Sequence, residues 1–274
     1  MNWSRVKWFL LAVLILGNLV LTGLYLQRGA ESRRARDRLH DTLMSAIAER
    51  GALISPEVEA RLFDDMYSLY ALRDTEQEEK LAMMLMGQVE RSDLGGRIHL
   101  YEGIDGSITF QDGGWFRARW TTPRQAVGSV WDDATALLQS LGFPVDPPPE
   151  MRESSTDTTF TVGQTVNGAP VVDAVVQLQY EDGAAVALSG RWVWGTPLPA
   201  DGEPPCPAFG SVFLRFIDAL TASGQSDLSF DGVKPVWELR VLETGYTCLV
   251  PVWLIAAESG EYTVDAESGD IITS

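Results

Sequence analysis

The longest unbroken apolar run opens the chain. Between Trp8 and Leu26 it reads WFLLAVLILGNLVLTGLYL, 19 residues without a charged side chain; as a helix this covers about 28 Å, close to a bilayer's hydrocarbon thickness. Trp3, Trp8 and Tyr25 near its ends suit the headgroup region, and Arg5, Lys7 and Arg28 bracket it. The pattern predicts an uncleaved transmembrane helix over 8–26 behind a short head, 1–7. A cleaved signal peptide would need a shorter apolar core and a small-x-small exit, and LYLQRGAESRR supplies no such site. Within the span Asn18, Thr22 and Tyr25 fall on one helical stripe. An amide in hydrocarbon needs a hydrogen-bond partner, so this stripe is a candidate interface with another transmembrane helix; the alternative is that Asn18 bonds its own backbone.

Beyond the span the apolar period is helical. Leu39, Leu43, Ala46 and Ile47 recur every three or four residues until Gly51, and Ser55-Pro56-Glu57 carries the hydroxyl cap and first-turn proline of a new helix. TEQEEKLAMMLMGQV adds a third helical stretch, which makes 27–92 a helical juxtamembrane segment. From residue 97 the period changes to two. Ile98/Leu100, Ile108/Phe110 and Trp115/Phe116 are separated by Asp105-Gly106 and Asp112-Gly113, dipeptides that favour tight hairpins. Thr122-Pro123 then opens an expected helix through Leu141, completing a first half, 93–145. Pro147, Pro148 and Pro149, followed by polar residues, mark 146–157 as a linker.

The plan returns in 158–274. Strands are expected at Thr158–Val166, Val171–Tyr180 and Ala185–Trp194, turning at Asn167-Gly168 and Asp182-Gly183. A helix is expected around Ser211–Ala222, with further strands to Asp265. Pro235 and Pro251 argue for edge positions in their strands. The fold class is α+β: a transmembrane helix, a helical segment, then two related halves of antiparallel meander plus covering helix.

Charge sharpens this division. The 274 residues carry a net charge of −17, yet residues 1–38 hold seven basic side chains and two acidic ones. A basic head thus joins a strongly acidic body, which argues against binding a nucleic acid's phosphates. The arginines after the span favour a cytoplasmic body, whereas large domains cross largely regardless of charge. No phosphate-binding loop, dinucleotide fingerprint, zinc-protease motif or nucleophile elbow occurs, so neither an enzyme, a cofactor nor a small-molecule substrate is expected. His40 and His99 are the two histidines, and Asp64-Asp65 and Asp132-Asp133 read as solvated surface. Asp265, Glu267 and Asp270 read as a polar hairpin in preference to a cation loop.

Three stretches together resemble the YycI/YycH family of membrane-anchored regulators of an envelope-stress histidine kinase: MNWSRVKWFLLAVLILGNLVL, VNGAPVVDAVVQLQYEDGAAVALSGRW and LVPVWLIAAESGEYTVDAESGDII. The last also resembles the closing strands of a PepSY-type module. The resemblance implies a single-pass plasma-membrane protein with a cytoplasmic N-terminus and an extracytoplasmic body. Its implied partners are a sensor histidine kinase and a sister regulatory protein. A PepSY-like module that binds or inhibits a peptidase, or binds an envelope ligand, is the alternative, and a membrane-tethered enzyme of unrecognised type is the third. In an extracytoplasmic body Cys206 and Cys248 could form a disulfide closing a loop of about 42 residues, worth about 3 to 4 kcal/mol. The other reading is two thiols, with Cys248 in a buried strand.

Overall fold

The computed structural model describes residues 35–154, 156–202, 204–242 and 247–272. The expected transmembrane helix 8–26 lies outside the described residues. No helix among the described residues is long and apolar enough to cross a membrane.

In chain order the elements are α1 (35–49), β1 (Leu53–Ile54), α2 (Pro56–Ala60), β2 (Leu69–Ala71), α3 (Thr75–Met86), β3 (Val89–Asp93), β4 (His99–Gly103), β5 (Gly106–Phe110) and β6 (Trp115–Gln125). There follow α4 (Val130–Ser140), β7 (Glu150–Glu153), β8 (Asp157–Val166), β9 (Ala169–Glu181), β10 (Ala184–Arg191), β11 (Leu198–Pro199) and α5 (Phe209–Ala222). The last strands are β12 (Ser229–Val241), β13 (Thr247–Ala257), β14 (Gly260–Asp265) and β15 (Ile271–Ile272). The protein is mixed α+β, with mostly antiparallel strands and few helices.

Two hydrophobic cores organise these elements, and they divide the chain differently from the expected halves. One sheet runs β7-β8-β9-β10-β6-β5-β4-β3, antiparallel throughout. One face is covered by α3 through Leu81 and Leu85 and by α4 through Ala134, Leu137 and Leu138. These pack on Tyr101, Ile108, Phe110, Phe116, Phe160, Leu178 and Tyr180. The other sheet centres on β12 and β13, flanked by β1, β2, β14 and β15. Its core gathers Ile47 of α1, Val58 of α2 and the Phe209, Phe213, Phe216 and Ile217 face of α5 around Trp253 and Phe230.

A helix followed by four antiparallel strands therefore occurs three times: α3 with β3–β6, α4 with β7–β10 and α5 with β12–β15. The first two units join through their last strands, β6 and β10, into one sheet with both helices in one core. The expected boundaries at 93–145, 146–157 and 158–274 cut across this. The stretch 146–157 contains β7, paired with β8 from Glu150↔Thr161 to Glu153↔Thr158. All four β7 residues are exposed, so alternation of burial, the signal for a strand, is missing there. Likewise 27–92 holds β1, β2 and β3 as well as helices.

Two local expectations also change. The strand β6 continues to Gln125, and α4 begins only at Val130, where the Ser129 hydroxyl accepts from the Asp132 N–H at 3.1 Å. Gly128, at φ +89°, separates the two elements. Pro235 and Pro251 lie inside interior strands, each beside a gap. On the side of β12 away from β13, β1 pairs at Ser229–Phe230 and β9 at Trp237; on the outer side of β13, β2 ends at Leu249 and β14 starts at Val252. A residue without an N–H fits where the neighbouring ladder is interrupted.

Candidate functional site

The two sheets meet along β9. Its first half, with Val171 and Ala174, belongs to one core, and its second half, with Val176, Leu178 and Tyr180, to the other. Away from β9, where β2 and the start of α3 approach the segment leading to β11, the chain leaves an open cleft of about 800 Å³. One wall runs from Tyr70 at the end of β2 through Leu72 to the first turn of α3, and the other from Gly195 to Ala200; Leu242 also lines it. The lining is chiefly apolar, and Leu72 and Leu198 are 63% and 61% exposed.

The walls are braced from behind. The Asp74 carboxylate caps α3, accepting from the Glu76 and Gln77 N–H groups at 3.0 and 3.1 Å. Arg73 turns inward: its Nε and Nη2 donate to the two oxygens of Glu78 at 2.6 and 3.0 Å. Nη1 reaches the Arg97 carbonyl and, at 3.3 Å, Asp112, while Nη2 also lies 3.2 Å from His99 Nδ1. A guanidinium can only donate, so His99 Nδ1 accepts in this arrangement. Burial works against the Arg73 charge, but Glu78 and Asp112 outweigh it and hold the group above the ordinary guanidinium range. All five Arg73 N–H groups are thereby occupied. This side chain is a brace that fixes α3 to β4, with nothing left to offer a ligand.

The second unit repeats the device. Glu78 and Asp133 each occupy the fourth position of their helix and are fully or almost fully buried. Asp133 accepts from the Tyr180 hydroxyl at 2.7 Å, the Val127 N–H at 3.2 Å and Arg124 at 3.5 Å. Burial, then the bond to Asp133, raise the Tyr180 phenol well above its ordinary pKa. The surface reading of Asp133 is thus corrected: only its neighbour Asp132 is exposed. The alternation of a helical face could have flagged Asp133, which lies four residues before Leu137.

The expected site residues are placed as follows. Asn18, Thr22 and Tyr25 lie outside the described residues. Cys206 is half-buried, its N–H donating to the Met66 carbonyl at 2.8 Å, and Cys248 is buried on β13 opposite Tyr70. Both cysteines thus border the segment 66–70. His40 on α1 bonds Glu59 on α2 at 3.0 Å, whereas His99 belongs to the cluster behind the cleft. Asp265 accepts from the Glu267 and Ser268 N–H groups at 2.9 Å, closing a turn. Among the described residues no cluster of three or more His, Cys, Asp or Glu side chains is arranged to hold a metal ion. The cleft residues Tyr70, Leu72, Leu198 and Leu242 were not foreseen, since an exposed leucine has no distinguishing spacing.

No family model matches the chain, and no curated protein matches it. Among solved structures it is similar to an uncharacterized protein from Eubacterium rectale, with 12% identity over 77% of this chain and 86% of that one and a TM-score of 0.42. It is also similar to the C-terminal domain of Bacillus megaterium YpeB, with 11% identity over 74% of this chain and 99% of that one and a TM-score of 0.35. The likeness to the YycI/YycH family rests on the three sequence stretches alone.

Proposed function

We propose that this chain is a non-enzymatic, membrane-anchored binding protein whose extracytoplasmic α+β body receives apolar side chains of a partner protein in this cleft. One observation carries the reading: two largely exposed leucines line an apolar cleft of about 800 Å³ whose wall is braced by a saturated, inward-facing arginine. Exposed apolar surface on a preformed frame favours protein contacts. A sensor histidine kinase is the partner that the sequence resemblance favours, with the Asn18, Thr22 and Tyr25 stripe as a second contact in the membrane. Such a protein changes signalling by binding one kinase conformation more tightly, and a difference of about 1.4 kcal/mol shifts that equilibrium tenfold.

The test uses the full chain in its native membranes, probed for a co-purifying sensor histidine kinase. Co-purification of the kinase, lost in Leu72→Asp/Leu198→Asp and on exchange of 8–26 for an unrelated span, supports the reading. Retention of the kinase by the double variant removes the cleft from it. The PepSY-like alternative predicts instead that a peptidase is bound or inhibited independently of the span. A C-terminal reporter active only in the cytosol rejects both.

A further inference from the structure

The sheet built from β3–β10 has helices on one face only, and its other face is polar. Along β6 the side chains alternate: Phe116 and Ala118 enter the core, while Trp115, Arg117 and Arg119 stand on the open face. Their cross-strand neighbours are small or uncharged. Arg117 faces Thr109 on β5 and Ser189 on β10, and Arg119 faces Ser107 and Ala187. One strand further, Gln177 and Gln179 continue the rows, followed by Thr161 and Thr159 on β8; in the other direction β4 adds Leu100 to the Arg117 row and the exposed Glu102 to the Arg119 row, beyond Ser107 and without an ion pair to Arg119.

In a chain of net charge −17 this arrangement is unusual. Arg117 and Arg119 are both exposed, and neither forms an ion pair with a described carboxylate. With short hydroxyl and methyl side chains around them, the two guanidinium groups border a trough of about 440 Å³ lined also by Ser107, Thr109, Gln111 and Trp115. Trp115 is 52% exposed, and its ring is backed by the Arg191 guanidinium 5.4 Å from the centroid. The trough combines two free forks for carboxylate or phosphate, a fixed aromatic platform and a field of hydroxyl and amide groups.

We propose that this open face binds an anionic polysaccharide, with Arg117 and Arg119 on its acidic groups and Trp115 against a sugar ring. A glycan matches the trough better than an acidic peptide, because the hydrogen-bonding groups are many and apolar anchors are almost absent. The side chains involved are separate from the apolar cleft, so the proposal does not depend on a protein partner there.

The experiment titrates the full chain in detergent micelles with polygalacturonate oligomers, neutral dextran and polyglutamate, by calorimetry at two ionic strengths. Polygalacturonate binds, and more weakly in high salt. Arg117→Gln/Arg119→Gln weakens it at least about tenfold, and Trp115→Ala weakens it as well. The unfolding midpoint of each variant is measured alongside. If the Gln pair lowers that midpoint, Thr109→Asp, which sets a carboxylate directly across from Arg117, serves in its place with the same expected loss. Absence of polygalacturonate binding overturns the proposal, as does binding that survives these substitutions. Equal binding of polyglutamate or an unaffected Trp115→Ala variant also overturns it, the first assigning the face to acidic peptides and the second to charge alone.

Discussion

At the scale of single residues, the two buried carboxylates govern how firmly the first sheet holds its helices. Glu78 is 0% exposed and meets Arg73 through both oxygens. Replacing it by Gln leaves a half-buried guanidinium facing an amide, and breaking a buried pair on one side costs about 3 kcal/mol or more. The expected result is a lower urea midpoint for Glu78→Gln, whereas Glu76→Gln, exposed two residues earlier, stays within about 0.5 kcal/mol of the parent. At Tyr180 the sign of a pH effect follows from the raised phenol. Below its ordinary pKa of about 10 both folded and unfolded chains hold the proton, and stability does not depend on this group. Above that value the unfolded chain releases the proton first, so stability falls as pH rises toward the folded pKa. Tyr180→Phe loses about 1 to 3 kcal/mol at neutral pH, because Asp133 forfeits its 2.7 Å donor. It also flattens the decline in midpoint between about pH 9 and 11, with Tyr101, itself raised by burial, contributing to the slope that remains.

At the scale of elements, the segment joining β10 to β11 has little freedom. Gly195 has φ +107°, and a Cβ there would lie 2.5 Å from the Leu72 carbonyl across the cleft. Gly195→Ala must therefore strain its own backbone and push the two cleft walls apart. A loss of about 2 kcal/mol or more in thermal or urea unfolding is expected, together with weaker binding of the partner proposed for the cleft even though no apolar contact is removed. The same scale shows what was readable from the chain. Hairpins were legible where side chains dictate φ: Asn167-Gly168 and Asp182-Gly183 both adopt positive φ and join β8 to β9 and β9 to β10. The α5 face was legible because Val212, Phe213, Phe216, Ile217 and Leu220 keep a helical period and are all buried. The strand β7 was not, because a strand exposed on both faces leaves no alternation. Nor was the cleft, which arises where two distant segments, 70–76 and 195–200, come together without any spacing signal in either.

At the scale of the whole molecule, the question is what makes two cores behave as one body. Besides the chain itself, the described joins are few. The β9 to β12 pairing is a single parallel register pair, Trp237↔Val171, supported by the Trp237 indole donating to the Val166 carbonyl at 3.0 Å. Arg191, at the end of β10, donates through Nε to the Gly113 carbonyl of its own sheet at 2.9 Å and reaches across with Nη2 to the Leu239 carbonyl of β12 at 3.1 Å, and Asp173 lies 3.6 Å away. Burial lowers its pKa against the pull of Asp173 and Glu238, a sign that the guanidinium sits in a poorly hydrated place. Arg191→Met keeps the apolar stem and removes both carbonyl bonds, at about 2 to 3 kcal/mol. Of the two, the Leu239 bond joins the cores, and the Gly113 bond ties β10 to the turn before β6 within its own sheet. Urea unfolding of this variant should separate into two transitions, or become less cooperative with a smaller apparent slope, if the seam is what couples them. A single transition, merely shifted, would mean that the shared strand β9 suffices. In that case the two cores and the cleft walls unfold as one cooperative unit, and the partner proposed for the cleft would meet a frame that both cores stabilise.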